Sequence, residues 1–179
     1  MNYTETKEAL DKFAKYVIQQ ARTNLTKKKK NLSNNLYKSL KYDLTEKEDG
    51  LYLTIYMDEY GEFIDQGVKG ANPSLVKNGK QKAPNSPFRY KNKKPPQKFI
   101  EQWAKARNFR LRDAKGRFKK GNYRSIGFVL QKFIFAQGIK PSFFFTKPFK
   151  QAFKRLPEGL AEAFTQDIIN ITLETEWVQ

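Results

Sequence analysis

The chain has 179 residues, 35 Lys plus Arg against 18 Asp plus Glu, a net charge of +17, and neither cysteine nor histidine. That composition excludes disulfides, thiol chemistry, Cys/His zinc sites and histidine-based triads. The length suits one domain with its own core, and no apolar run is long enough for a membrane span.

Residues 5 to about 25 predict an amphipathic helix, since Leu10, Phe13, Val17, Ala21 and Leu25 recur at three- and four-residue intervals. Thr4 or Thr6 is the expected cap, and Glu5 and Glu8 favour the positive end of the helix dipole. The charged start predicts no signal peptide ahead of the domain and synthesis inside a cell. Lys27, Lys28, Lys29 and Lys30 then put positive charge where the dipole is negative. That run serves either as a solvated helix end or as a contact site.

"LYKSLKYDL" (36–44) alternates with Leu36, Lys38, Leu40, Tyr42 and Leu44 on one face, which predicts a strand. "EKEDG" predicts the turn. "LYLTIYM" (51–57) returns as the second strand, with Leu51, Leu53, Ile55 and Met57 on one face and Tyr52, Thr54 and Tyr56 on the other. "YGEFIDQG" (60–67) predicts a short helical turn closed by Gly67. From Val68 to Pro96 periodicity vanishes; Gly, Pro, Asn and Lys abound and acids are absent, which predicts an extended basic loop or arm.

Pro96 suits the start of a helix carrying Phe99, Ile100 and Trp103 as an apolar stripe. "RLRDAKGRFKK" (110–120) predicts a basic hairpin turning at Asp113 to Gly116. Residues 125–138 give the strongest helix, with Ser125 as cap, Gly138 as stop, and Ile126, Val129, Leu130, Phe133 and Ile134 facing the core. A strand or loop at "PSFFFT" precedes helices opening at Pro148 and Pro157. In the last of these, Leu160, Phe164, Ile168 and Ile171 keep helical spacing. "ITLETEWVQ" either continues that helix or forms a terminal strand. The expected fold is α+β: a small antiparallel β-sheet packed against an N-terminal helix and C-terminal helices, with a long basic insertion.

Charge is unevenly placed. Residues 66–157 hold 24 basic residues and two acids, Glu101 and Asp113, so this stretch carries +22 and the flanks together −5. Such a region attracts nucleic acid or an acidic protein surface. Aromatics interleave with cations in "PFRYKNKK" and "RLRDAKGRFKK", a composition that neutralises phosphates and stacks on bases, or docks on acidic neighbouring subunits. The candidate contacts are Lys27, Lys28, Lys29, Lys30, Lys80, Lys82, Arg89, Lys91, Lys93, Lys94, Arg117, Lys119 and Lys120. With no helix-turn-helix, zinc-finger or RNP signature, any DNA contact is expected at the backbone and insensitive to sequence.

Catalysis is not expected. Asp58, Glu59, Glu62 and Asp65 are the one acidic cluster beside a strand end, and no second acid on an adjacent strand completes a metal site. Phosphate-loop and dinucleotide fingerprints do not occur, and no cofactor is expected.

The order of features carries a resemblance. "NLSNNLYKSLKYDL" resembles the "TG-x-L-x-x-S-I" strand entry of the tail-completion, or head–tail connector, proteins of tailed bacteriophages. "YGEFIDQG" resembles their "YA-x-[YF]-[VI]-E-x-G", with Tyr60, Phe63, Ile64 and Gly67 matching and Asp65 in place of Glu. "GIKPSFFFTKPFKQAF" (138–153) fits their Gly-x-x-P-x-x-F segment leading into a helix. "PPQKFIEQWAKARNF" and "RDAKGRF" resemble an insertion seen in some members. The likeness spans most of residues 1–172; Ser33-Asn34-Asn35 replaces the common Thr-Gly pair, and 68–124 is longer and more basic than the pattern.

The resemblance implies a structural virion subunit, not an enzyme, assembled in the host cytoplasm. It implies copies in a cyclic ring at the neck, between a portal-proximal connector or portal protein and a tail protein, around the DNA exit channel. No membrane is involved. A ring needs one patch of a subunit to meet a different patch of the next, and an acidic pole beside a +22 region supplies both. The expected partner contacts are Phe143, Phe144, Phe145, Tyr60, Phe63, Asp65, Phe88 and Tyr90. Phe143, Phe144 and Phe145 cannot all face one core, because adjacent side chains diverge. One or two are expected to pin the final helices to the sheet, leaving the rest for a neighbour.

Overall fold

A computed structural model describes residues 3–30, 32–75, 79–118 and 121–176, the last eight of these by backbone alone. The fold is α+β: among the described residues, seven helices and two antiparallel two-stranded pairings. It divides into two compact units, residues 1–58 with 143–179, and residues 59–142.

In the first unit α1 (Thr4–Lys27) buries Phe13, Val17, Ala21 and Leu25 of the predicted stripe, and Ala14 and Ile18 beside them, while Leu10 is only half-buried. Its start differs from expectation: neither Thr4 nor Thr6 caps it through its own first turn. Asp167, on α7 (Leu156–Glu176), reaches over instead. Its carboxylate accepts from the Glu5 N–H at 2.9 Å, the Thr6 N–H at 3.0 Å and the Thr6 hydroxyl at 2.7 Å. The helix end is also specific. Lys29 takes the left-handed conformation (φ 53°), while the Lys29 and Lys30 N–H groups donate to the Thr26 and Leu25 carbonyls at 2.9 and 2.8 Å. This is a Schellman cap with lysine where glycine is preferred. Lys29→Gly should therefore raise stability by up to about 1 kcal/mol, seen as a higher urea midpoint at unchanged slope. An unchanged or lower midpoint would refute the strain.

Residues 36–40 are not strand. α2 (Asn35–Ser39) precedes β1 (Lys41–Lys47), because Leu36 and Leu40, four residues apart, fit one helical face as well as an alternating one and both are buried. Arg22 of α1 fixes this turn by donating to the Tyr37 and Leu40 carbonyls at 3.1 and 2.8 Å. β1 pairs with β2 (Gly50–Tyr56) across a two-residue turn at Glu48-Asp49, from Lys41↔Tyr56 to Lys47↔Gly50. The hairpin docks on α1 through half-buried Tyr42, Leu44, Leu51, Leu53 and Ile55, and by the Tyr42 hydroxyl donating to Asp11. Tyr52 and Tyr56 face outward, as the alternation requires.

α6 (Thr146–Phe153) and α7 complete this unit against α1. Pro148 lies in the first turn of α6, where its missing N–H is harmless, and is buried. Phe145, Phe149 and Phe153 stack in sequence at 5.7 Å spacings, and Phe13 meets Phe149 edge-on at 5.8 Å. "ITLETE" continues α7 as helix rather than strand; residues 177–179 lie outside the described residues.

The second unit holds α3 (Tyr60–Gln66), β3 (Val68–Lys69), a 3-10 turn at Pro73–Leu75, α4 (Gln97–Ala106), α5 (Tyr123–Gln137) and β4 (Gly138–Ile139). Its main departure from expectation is the 68–96 segment. The described part is not an extended arm but is folded back onto its own unit. β3 pairs antiparallel with β4, and Lys69 also forms a single parallel bridge with Arg89. The Lys69 N–H donates to Phe88 O at 2.8 Å and the Tyr90 N–H to Lys69 O at 2.9 Å. The Gln81 side-chain oxygen accepts from the Gly70 N–H, the Lys82 N–H donates to Gln137 O, and the Ser86 hydroxyl donates to Gly67 O. Short stretches of backbone pairing and single polar side chains together satisfy the main-chain groups that a longer strand would have paired in one ladder.

α4 and α5 pack closely, with Gly127 against the Glu101 backbone. α4 buries Ile100 and Ala104, whereas Phe99 and Trp103 of the expected stripe are exposed. Asn122, not Ser125, caps α5: its side-chain oxygen accepts from the Ser125 N–H at 2.8 Å. The basic hairpin forms as expected, with the Asp113 N–H on Arg117 O and the Asp113 carboxylate on Arg117 Nε at 3.0 Å.

Candidate interaction surfaces

Two of the segments that carry the resemblance, 71 residues apart from Gly67 to Gly138, meet in one junction of the second unit. Gly67 ends α3 against Ile139 O and Pro141, and the Ser142 N–H reaches Ile64 O and Asp65 O at 3.1 and 3.0 Å. The Ser142 hydroxyl donates to Ile64 O at 2.6 Å. This junction is backbone-dense and leaves no room for a side chain at Gly67 or Gly138, so these glycines are structural.

The three phenylalanines separate. Phe144 is fully buried and its carbonyl accepts from the Asn24 side chain at 3.2 Å. Phe145 is half-buried in the α6 stack. Phe143 is 47% exposed and sits at φ 49°, a left-handed conformation that a bulky side chain adopts only at a cost. Phe144 and Asp65 are therefore corrections to the expected partner surface. Each is almost wholly inside its own unit, Asp65 because its helix packs inward at the junction, and neither offers a side chain to a neighbour. Tyr60 and Phe63 remain exposed, and Phe63 meets half-buried Phe88 edge-on at 4.6 Å. Tyr90 is half-buried 6.0 Å from Phe135, and burial pushes its phenol upward in pKa.

The candidate cations divide between the units. Lys27, Lys28, Lys29 and Lys30 are exposed at the end of α1, beside a groove of about 840 Å³ lined by Lys15, Arg22, Lys41 and Tyr37. Lys80, Lys82, Arg89, Lys91, Lys93, Lys94 and Arg117 are all exposed on the second unit; Lys119 and Lys120 lie outside the described residues. That unit has 20 basic and five acidic residues, against 15 and 13 in the first. Its cations stand on aromatic faces: Arg112 lies 4.1 Å from the Phe118 ring centre, Lys132 4.4 Å from Phe128, and Lys94 5.8 Å from Phe135.

Sequence periodicity assigned Phe133 to the core and overlooked Phe128 and Lys132. All three line one cleft of about 420 Å³ on α5, with Leu75, Lys94 and Val129. The available signal was that α5 is apolar around more than one face, which a helix packed on a single neighbour does not need. The described residues hold no group of three or more carboxylates arranged for a metal ion, and no described helix is long and apolar enough to cross a membrane. Comparisons with protein-family models, with curated proteins and with solved structures found no match.

Proposed function

We propose that this chain is a structural subunit of a tailed-bacteriophage neck, forming a ring at the head–tail junction around the DNA exit channel. The observation that carries the reading is the junction of "YGEFIDQG" with "GIKPSFFFTKPFKQAF". Gly67, Gly138 and Pro141, among the residues on which the resemblance rests, lie where the backbone segments approach most closely. The division of charge between the units supports it, because a head-to-tail ring joins unlike patches. Phe143 is the anchor toward a neighbour: a strained, exposed aromatic beside a built junction.

Mass spectrometry of purified particles tests the reading. A low, fixed copy number per particle is expected; absence from particles, with abundance in the host cell, would overturn it. Phe143→Asn refines the test. Asparagine tolerates the left-handed conformation, so the folded chain should melt no lower than wild type while incorporation into particles falls by about tenfold or more. Wild-type incorporation would remove Phe143 from the interface.

A second reading, sequence-independent nucleic-acid binding, is favoured by the cations seated on exposed aromatics. It predicts an affinity for oligonucleotides that falls steeply with salt. Binding insensitive to salt would count against it.

A further inference from the structure

α7 runs past the N-terminal end of the helix it packs on, α1. Near its start, Leu156 and Gly159 share a groove with Phe13 and Tyr16 of α1. By Asp167 it has already reached the first turn of α1, at Glu5 and Thr6. The two helices thus run antiparallel, and α7 continues nine residues further, to Glu176. At 1.5 Å per residue that is an overhang of roughly 13 Å.

The overhang is distinctive chemically. Residues 156–179 contain five acids and no lysine or arginine, in a chain of net charge +17. Phe164 and Ile168 are 44% and 46% exposed, and their helical spacing continues to Ile171 in the sequence. Phe164 stacks on Tyr3 at 6.3 Å yet stays half-exposed, and an acidic helix with a half-exposed apolar stripe is the complement of the α5 cleft, which Phe128, Phe133 and Leu75 line together with Lys94 and Lys132. The cleft lies on a unit with 20 basic residues and five acids.

We infer that the C-terminal half of α7 in one copy docks in the α5 cleft of a second copy. The stripe that begins at Phe164 and Ile168 covers Phe128 and Phe133, and the acidic sequence of the segment is matched to the cationic surroundings of Lys94 and Lys132. The contact is heterologous, so it propagates from copy to copy and closes into a ring or runs on as a filament. It deepens the neck reading and rests on it only in requiring that copies of the chain meet.

The test uses the full chain and charge exchange. Sedimentation of wild type across a concentration series at low salt should show self-association. Lys94→Glu with Lys132→Glu, and separately Glu174→Lys with Glu176→Lys, should each weaken it roughly tenfold or more. Mixing the two variants should restore heterologous pairs, because each carries one reversed surface that matches the other. Recovery on mixing, with each variant alone monomeric, establishes the contact. A monomeric wild type, or self-association that neither variant changes, overturns it. So does loss of oligonucleotide binding in the lysine variant with sedimentation unaltered, which would give the cleft to nucleic acid. Particle composition is read independently, so a chain that associates in this way yet is absent from particles would end the neck reading alone.

Discussion

Gly138→Ala should cost more than about 3 kcal/mol and open the second unit. Two effects add at this position. The backbone stands at φ 86° and ψ −171°, a region populated almost only by glycine. A side-chain carbon there would also overlap Val68 O outright and lie 2.6 Å from the Gly70 nitrogen. Neither obstacle is the end of a flexible side chain; both are backbone atoms, one in β3 and one in the residue that follows it. The expected readout is loss of amide-exchange protection at residues 68–70 and 138–142, together with a lowered melting temperature. Gly70→Ala should behave alike, since its added carbon would collide with the Ala136 carbonyl. Wild-type exchange at these positions in either variant would refute the close pairing of β3 and β4.

Asp167→Ala should lower the stability of the first unit by about 1–2 kcal/mol at neutral pH, a fall in Tm of roughly 5–10 °C for a unit of this size. Burial alone would raise this carboxyl's pKa. Hydrogen bonds from the Thr6 hydroxyl and the Glu5 and Thr6 N–H groups, with the nearby Lys7 charge, outweigh it and hold the pKa below the ordinary value. A depressed folded-state pKa contributes stability that is present above the unfolded value, about 3.9, and is lost as pH falls through the folded one. The difference between wild type and Asp167→Ala should therefore be full at pH 6–7 and shrink on acidification below about pH 4. A difference independent of pH would assign the effect to lost packing rather than to the capping charge.

The arrangement bears on how the basic segment is to be probed. Replacing residues 72–94 with a flexible linker would remove Gln81, Ser86, Phe88 and Tyr90, whose hydrogen bonds reach β3 and the residues flanking it, and Lys82, which bonds Gln137 beside β4. Point substitutions of exposed lysines test the surface without that loss.

Several elements were legible from residue pattern alone. α1 was readable because its apolar positions return every three to four residues over six turns, and the β1–β2 hairpin because its second strand alternates without a fault. The α5 stop at Gly138 and the Asp113–Gly116 turn follow from backbone preferences that act within a few residues. The partition of the phenylalanines was foreseeable in number, since three adjacent side chains diverge, although not in which one stays outside.

Tertiary structure alone decided the rest, and in each case the deciding interaction spans a long stretch of chain. The α1 cap comes from Asp167, some 160 residues away, so the local search for Thr4 or Thr6 had nothing to find. Leu36 and Leu40 fit a strand or a helix by spacing, and burial against α1 with the Arg22 bonds chose the helix. Residues 68–90 carry no periodicity because their backbone pairs only over one or two residues at a time, single side chains such as Gln81 and Ser86 supply further bonds, and Gly70 and Gly138 work by having no side chain. Local pattern determines which segments are regular, since helix and strand preferences are short-ranged. Which backbone may approach which, and which aromatic is left outside, depends on contacts between distant residues, and those exist only once the chain has folded.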